Sequence, residues 1–299
     1  MCHLAFFVVL ASFLSDALCN GQVSYDQHGT DWGGTCSRGK RQSPIPFSRV
    51  VKNYDPESQV PFTINYKNSI VSIQPNDHSV NAIMGDSSNR ILGGGLDAEY
   101  KLMSFHMHWP SEHAILNDDV RSSLEFHFVH IKSKYKDVPS ALASNDGKAI
   151  AVLGVFFDVG KKAHKEVQKL IDETDRINKA GEKVGNNSGI IIRNLLPSDM
   201  DRYYRYEGSL TTPPCSEAVV WTLFTERQTV SQEQVNWFPN VVLEGKPLKE
   251  NYREMLSDRH RKIYGVGIIG IDYTDDFGEA TLIRASMLPF LFVIALFYI

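Results

Sequence analysis

Short apolar runs recur along the chain and are separated by residues that favour turns. In several runs apolar and polar residues alternate, as in a half-buried strand, whereas AIAVLG is apolar throughout, which is typical of a strand buried on both faces. The predicted strands are PFTINY, SIVSIQP, SVNAIMG, KLMSFHMHW, SLEFHFVHI, AIAVLGVFFDV, GIIIRNLL and EAVVWTLF. The best helical stretch, AHKEVQKLIDETDRI, places Val167, Leu170 and Ile171 on one face. The pattern predicts a mostly β protein (α+β) with peripheral helices in a single domain.

Both ends of the chain carry apolar segments that differ from these strands. The run from Leu4 to Leu14 is too short to span a bilayer and is followed by the small residues Ala17 and Cys19, so residues 1–19 are a predicted signal peptide. The chain ends in MLPFLFVIALFYI, which is shorter than the roughly 20 residues of a spanning helix. Residues 273–299 are therefore predicted to be a spacer and a GPI-attachment signal, with a secreted protein or a tail anchor as alternatives. Residues 20–272 remain as the folded domain.

Composition and cysteine content add a cellular compartment to this picture. The chain has 299 residues, of which 42% are hydrophobic, and its net charge of -4 argues against a nucleic-acid-binding protein. Cys36 and Cys215 lie inside the predicted domain, and an even pair in an oxidising compartment predicts a disulfide. Asn186 begins an Asn-Asn-Ser sequon and is a predicted glycosylation site. We therefore expect a protein of the secretory pathway, either on the extracellular face of the membrane or secreted.

Five of the ten histidines lie between residues 105 and 130. Strand alternation in KLMSFHMHW places His106 and His108 on one face, and alternation in SLEFHFVHI places Glu125, His127 and Val129 on one face. If the two strands pair, one cleft collects three imidazoles, which is the open geometry of a catalytic zinc site.

Each of these histidines could instead be an ordinary core or surface residue. Glu125 strengthens the metal interpretation, because its carboxylate could accept the second ring N–H of His127. His113 and His130 fall outside this face, and we interpret His113 as a buried hydrogen-bonding partner and His130 as a packing residue.

FHMHW, SEH, LEFHFVH and GSLTTPP, in this order and with RQSPI near the start, resemble the α-class carbonic anhydrases over about residues 25–264. The signal sequence, the cysteine pair and the apolar C-terminus are similar to the extracellular, membrane-anchored members. The resemblance implies a large, central, mostly antiparallel twisted sheet. It also implies Zn²⁺ as cofactor and the reversible hydration of CO2 to bicarbonate and a proton, by attack of a zinc-bound hydroxide.

The resemblance also implies a role for individual residues. His106, His108 and His127 would bind zinc, and Thr211 would orient the nucleophile by donating a hydrogen bond to Glu112. Thr212 would lie near bicarbonate, His78 would shuttle protons, and Tyr25 matches the active-site tyrosine. The CO2 pocket would be formed by Val129, Val152, Leu210, Val219 and Trp221, and the waters leading to His78 would be organised by Asn76 and Asn81.

Two positions depart from the family pattern. Ser104 stands where the family often has a glutamine that supports the first zinc ligand, and Val23 stands where an aromatic residue is usual.

Other functions are also compatible with parts of the sequence. The main alternative is a catalytically silent, carbonic-anhydrase-like binding module at the cell surface. A matrix or adhesion protein would not need the histidine trio, and the sequence contains no HExxH motif of a zinc protease.

Overall fold

The computed structural model describes residues 23–47, 61–67, 71–76, 78–85, 88–114, 121–186, 189–243, 245–257, 259 and 261–268. The predicted signal peptide and the predicted GPI signal lie outside these residues. Within them, no helix combines the length and the apolar character needed to cross a bilayer.

Strands dominate the chain, as the alternating pattern predicts. In chain order they are β1 Thr63–Asn65, β2 Val71–Pro75, β3 Val80–Met84, β4 Arg90–Leu92, β5 Tyr100–His108, β6 Leu124–Lys132, β7 Ile150–Val159, β8 Gly185–Asn186, β9 Tyr203–Gly208, β10 Val219–Phe224, β11 Gln228–Val230, β12 Val242–Leu243, β13 Lys246–Pro247 and β14 Ile263–Val266. The helices are α1 Thr35–Arg38, α2 Val138–Leu142, α3 Lys165–Ala180 and α4 Gln232–Trp237, and 3-10 turns cover Ile192–Leu195 and Phe238–Asn240.

Twelve of the described strands form one sheet, whose main path is β14-β9-β10-β7-β6-β5-β3-β2-β8. Most neighbours are antiparallel, but β10 and β11 both run parallel to β7, so the sheet is mixed. Its centre is fully covered: β6 is buried at every position and β7 at its first eight. This confirms the predicted mostly β single domain and the prediction that AIAVLG is buried on both faces.

The two faces of the sheet carry different side chains because residues along a strand alternate between them. Phe105, Met107 and Trp109 point to one face, where they join the apolar residues of α3 in the larger core cluster. Val129 and Trp221 belong to the cluster on the opposite face. This second face also carries the predicted metal-binding histidines.

One predicted strand is wrong. In GIIIRNLL the residues Ile192–Leu195 form a 3-10 turn, and Ile190, Ile192 and Leu195 are buried while Ile191 is 38% exposed. A continuous apolar run has no period of its own, so it predicts burial without specifying the backbone. Conversely, β9 (YYRYEG) and β14 were not predicted, although β9 lies between β10 and β14 inside the sheet.

The predicted disulfide is present between Cys36 and Cys215, with the two Cα atoms 5.0 Å apart. It joins α1 to the loop that follows GSLTTPP, across 179 positions of sequence. Asn186 ends β8, where its backbone pairs with Ser72 of β2. Its glycosylation stays a prediction.

Candidate metal centre

Three histidines converge where β5 pairs with β6. His106 lies directly opposite His127 across the two strands, and His108 lies two residues further along β5. One ring nitrogen from each of the three lies within 4.8 Å of the others. The ring centroids of His108 and His127 are 4.5 Å apart. The arrangement that alternation predicts is therefore present, and it can hold a metal ion.

Glu125 orients the His127 ring. The Nε2–H of His127 donates to Glu125 Oε1 at 2.8 Å, which leaves Nδ1 as the nitrogen that faces the cluster. Burial alone would raise the pKa of Glu125, but His113 and His127 hold that pKa well below its usual value. The carboxylate is thus ionised, and an ionised acceptor selects the His127 tautomer that a metal requires.

A backbone carbonyl orients the second ligand. His108 Nδ1–H donates to the carbonyl oxygen of Asn251 at 2.6 Å, so Nε2 is the nitrogen available for binding. Burial lowers the pKa of His108 to about 4 and holds the pKa of His106 well below its usual value. Both rings are therefore neutral at pH 7, which is the form that ligates metals.

In the described part of the chain, no side chain or carbonyl is seen to orient the His106 ring in the same way. Among the described residues, no hydrogen bond joins Ser104 to His106, and Ser104 is instead paired across the strands with Val129. Asn81 lies opposite His106 on β3, so both side chains emerge on the same face. The departure noted at Ser104 thus leaves the first histidine less constrained than the other two.

Glu112 is fully buried next to the histidines. Its Oε1 accepts from the backbone N–H of Arg253 at 2.8 Å, and its Oε2 has no hydrogen-bond partner in the described part of the chain. Thr211 does not donate to this oxygen in the structure, and its predicted role toward Glu112 stays a prediction. Instead, Oε2 is turned toward the imidazoles, 3.5 Å from His108 Nε2 and 3.9 Å from His127 Nδ1.

The donor set fits a zinc ion. Within the described residues, His108 Nε2 and Glu112 Oε2 are buried without a hydrogen-bond partner, and they lie 3.5 Å apart. Such groups cost about 1–3 kcal/mol each when nothing binds them. Three neutral imidazoles with an open fourth position are the usual ligand set of catalytic zinc.

Sequence comparison supports this interpretation. The family model of eukaryotic-type carbonic anhydrases matches residues 27–266. The chain is 34% identical over 246 residues to carbonic anhydrase 3 of Bos taurus, covering 73% of this chain and 92% of that one. It is 35% identical over 238 residues to putative carbonic anhydrase 3 of Caenorhabditis elegans (75% and 89%) and 32% identical over 238 residues to carbonic anhydrase 6 of Mus musculus (75% and 73%). The chain belongs to the carbonic anhydrase family.

In this member of the family the residues predicted to form the CO2 pocket lie together on the face of the sheet that carries the three histidines. Val129, Val152, Val219 and Trp221 belong to one apolar cluster, and Leu210 packs against it. Trp221 lies 4.8 Å from the His127 ring, between ring centroids, and its Nε1–H donates to Ser209 O. An apolar wall therefore borders the three histidines.

His78 lies in the turn between β2 and β3 and is half-buried. Asn76 closes this turn: its Oδ1 accepts from the N–H groups of His78 at 3.2 Å and Ser79 at 2.8 Å. Its Nδ2 also donates to His78 Nε2 at 3.2 Å. Tyr25 is buried and packs edge-on against Trp32, at 5.7 Å between ring centroids.

Thr211 and Thr212 lie in a loop that backbone hydrogen bonds hold closed. Leu210 N–H donates to Ser216 O at 3.0 Å, and Cys215 N–H donates to Thr212 O at 2.9 Å. Ser209 N–H donates to Ser43 Oγ at 3.0 Å, which ties the start of the loop to RQSPI.

His113 is the buried hydrogen-bonding residue that the sequence predicts. Its Nδ1–H donates to Glu125 Oε1 at 2.8 Å, so its Nε2 accepts from the Tyr206 hydroxyl, also at 2.8 Å. Tyr206 in turn lies 2.9 Å from Ser43 Oγ. No pattern in the sequence marks Tyr206, Ser43, Asn251 or Arg253, because each reaches the centre from a distant segment.

Proposed function

We propose that the protein catalyses the zinc-dependent, reversible hydration of CO2 to bicarbonate and a proton. The observation that carries this proposal is the convergence of the nitrogens of His106, His108 and His127 within 4.8 Å in a member of this family. His106, His108 and His127 would hold a Zn²⁺ ion, which would supply a nucleophile at neutral pH by lowering the pKa of water; carbonic anhydrases are the standard example of this effect.

The protein's own residues would bind and orient the reactants. CO2 carries no charge and therefore suits an apolar wall that excludes water. This wall is formed by Val129, Val152, Leu210, Val219 and Trp221. Arg253 already occupies Glu112 Oε1, so the free Oε2 is the atom to which the Thr211 hydroxyl would donate. A Thr that donates to Glu112 can only accept from the nucleophile, which fixes the direction of attack. Thr212 would contact bicarbonate at the mouth of this loop.

His78 would carry the surplus proton to solvent. Its ring is half-buried, and an imidazole can both accept and donate a proton. Asn76 contacts the ring directly, and Asn81 lies opposite His106 in the neighbouring strand. The Asn76 and Asn81 amides would order the waters that lead from the metal site to His78. Tyr25 would contribute a hydroxyl to the polar side of the cleft.

The proposal is tested by zinc analysis and CO2 hydration on the purified protein. We expect about one zinc per chain and hydration that is lost when zinc is removed. His78→Ala should lower kcat at low buffer concentration by about tenfold or more, and added imidazole should restore it. Zinc without hydration would favour the silent binding module instead.

We also propose that the protein enters the secretory pathway and is held at the cell surface by a GPI anchor. The Cys36–Cys215 disulfide supports an oxidising compartment. The apolar terminal segments support processing at both ends. A phosphatidylinositol-specific phospholipase should release the protein from intact cells. Protein that stays on the membrane would argue for a retained tail, and protein already in the medium would argue for plain secretion.

A further inference from the structure

Asn251 lies between the metal ligands and the turn that carries His78. The residue is fully buried, and its backbone carbonyl is the group that orients His108. Its side chain makes three further hydrogen bonds. Oδ1 accepts from Trp109 N–H at 2.7 Å, and Nδ2 donates to Met107 O and to His78 O, both at 2.9 Å.

The contact with His78 O is made to the backbone of the proposed shuttle residue itself. The turn is also attached to β5 through Ser79, whose Oγ donates to Met107 O at 2.7 Å. Met107 O therefore accepts from both Ser79 and Asn251, so the same point of β5 holds the turn and the Asn251 amide. Met107 lies between His106 and His108, so this point is part of the strand that carries two metal ligands.

We propose that the Asn251 side chain is a positioning residue for proton transfer. It fixes the backbone of His78 at a set distance from His108, and it acts through His78 without touching substrate. This inference rests on the proposed function, because it assigns the side chain to the proton-transfer step. The backbone carbonyl of residue 251 holds His108 whatever the side chain is, so the two tasks of this residue can be separated by mutation.

Asn251→Ala removes the side-chain contacts and keeps the carbonyl. At low buffer concentration we expect kcat to fall by up to about tenfold, because small displacements of a catalytic group reduce rates steeply. We expect kcat/KM for CO2 and the zinc content to stay within about twofold of wild type. Imidazole should restore kcat, as it should for His78→Ala.

A double-mutant cycle distinguishes positioning from a general structural role. If Asn251 acts through His78, Asn251→Ala should have no further effect on kcat in a His78→Ala background. An equal loss in both backgrounds, or a parallel loss of kcat and kcat/KM that imidazole does not restore, would overturn the proposal. Asn251→Ser, which is smaller but retains a donor, should recover part of the rate if the variant Asn251→Ala is poorly folded.

Amide hydrogen exchange provides a readout that needs no activity. In wild type, the amides of His78 and Ser79 both donate to Asn76 Oδ1. In Asn251→Ala they should exchange at least about threefold faster, while amides of β7 stay unchanged. If wild type proves inactive, the proposed function fails but this measurement still decides whether Asn251 positions the turn. Unchanged exchange at residues 78 and 79 would refute the positioning role in an active enzyme and in an inactive protein alike.

Discussion

At the scale of single residues, the three metal ligands differ in how firmly they are held. Glu125 fixes His127 and the Asn251 carbonyl fixes His108, whereas Ser104 gives His106 no hydrogen bond. Outer partners of this kind are worth about 10–100-fold in metal affinity.

We expect Ser104→Gln to supply an acceptor for His106 and to slow zinc release to a chelator by about tenfold. Ser104→Ala is the matched control and should release zinc at the wild-type rate. Equal release from all three proteins would show that His106 needs no partner.

Residue patterns predicted the part of the site that is local in sequence. Alternation along two strands identified the trio and Glu125, because both strands carry their own periodicity. The partners of His108 and Glu112 come from Asn251 and Arg253, which are 143 and 141 residues away. Both contacts use backbone atoms, and a backbone atom leaves no signature in the sequence. The Thr211–Glu112 bond is implied by family resemblance alone, and in the structure Glu112 Oε2 lies 3.5 Å from His108 Nε2.

At the scale of strands, close packing around the metal ligands limits the size of the side chain at one position of β7. Gly154 of β7 lies opposite His127 of β6 and opposite Leu223 of β10. A Cβ at this position would overlap Leu223 Cδ2 and lie 3.0 Å from Glu125 Oε1. We expect Gly154→Ala to reduce the free energy of unfolding by about 1–3 kcal/mol in urea titrations. It should also speed zinc release, because Glu125 must shift. Gly33→Ala is the control, since nothing lies within 4 Å of its added Cβ. A stable Gly154→Ala protein with normal zinc release would contradict this account.

Strand prediction failed where packing decides the backbone. β9 alternates between the buried rings of Tyr204 and Tyr206 and the side chains of Arg205 and Glu207. Arg205 is itself buried and hydrogen-bonded to Thr222. Because a charged residue usually indicates an exposed position, the sequence pattern does not indicate that this strand lies inside the sheet. The run at Ile190–Leu196 has the opposite property, since it is apolar but curls as a 3-10 turn.

At the scale of the whole molecule, buried histidines make the fold sensitive to acid. His130 Nδ1–H donates to Ala151 O, and its Nε2 accepts from the Tyr66 hydroxyl at 2.6 Å, so the neutral ring is fully bonded. Burial lowers the pKa of His130 to about 3. In the unfolded chain this imidazole is protonated below about pH 6.5, whereas in the folded chain it stays neutral down to about pH 3. The free energy of unfolding therefore keeps its full contribution from His130 above about pH 6.5 and loses it as the pH decreases. At pH 5 the loss from this group in the free energy of unfolding is about 2 kcal/mol.

Urea unfolding between pH 8 and pH 5 should show a shallower pH dependence for His130→Gln than for wild type. Tyr66→Phe, which keeps the imidazole, should retain the wild-type slope, and identical slopes in all three would exclude His130 as a source.

The disulfide acts on the same scale, because it joins segments that meet only in the folded state. Arg253 Nη2 donates to Cys36 O at 2.7 Å, and the Arg253 backbone N–H donates to Glu112, so the bridge and the metal centre share one buried residue. Cys215 closes the loop of Thr211 and Thr212 through its bond to Thr212 O. Replacing both cysteines by serine frees a loop of 179 residues, and chain entropy alone predicts a loss of up to about 5 kcal/mol in the free energy of unfolding. All three metal ligands lie within the freed loop, but the pairing of β5 with β6 holds them, so zinc content should persist under conditions where the variant is folded, while hydration falls as the Thr211 loop loosens. A double-serine variant with unchanged urea stability would show that the packed sheet alone holds these segments together.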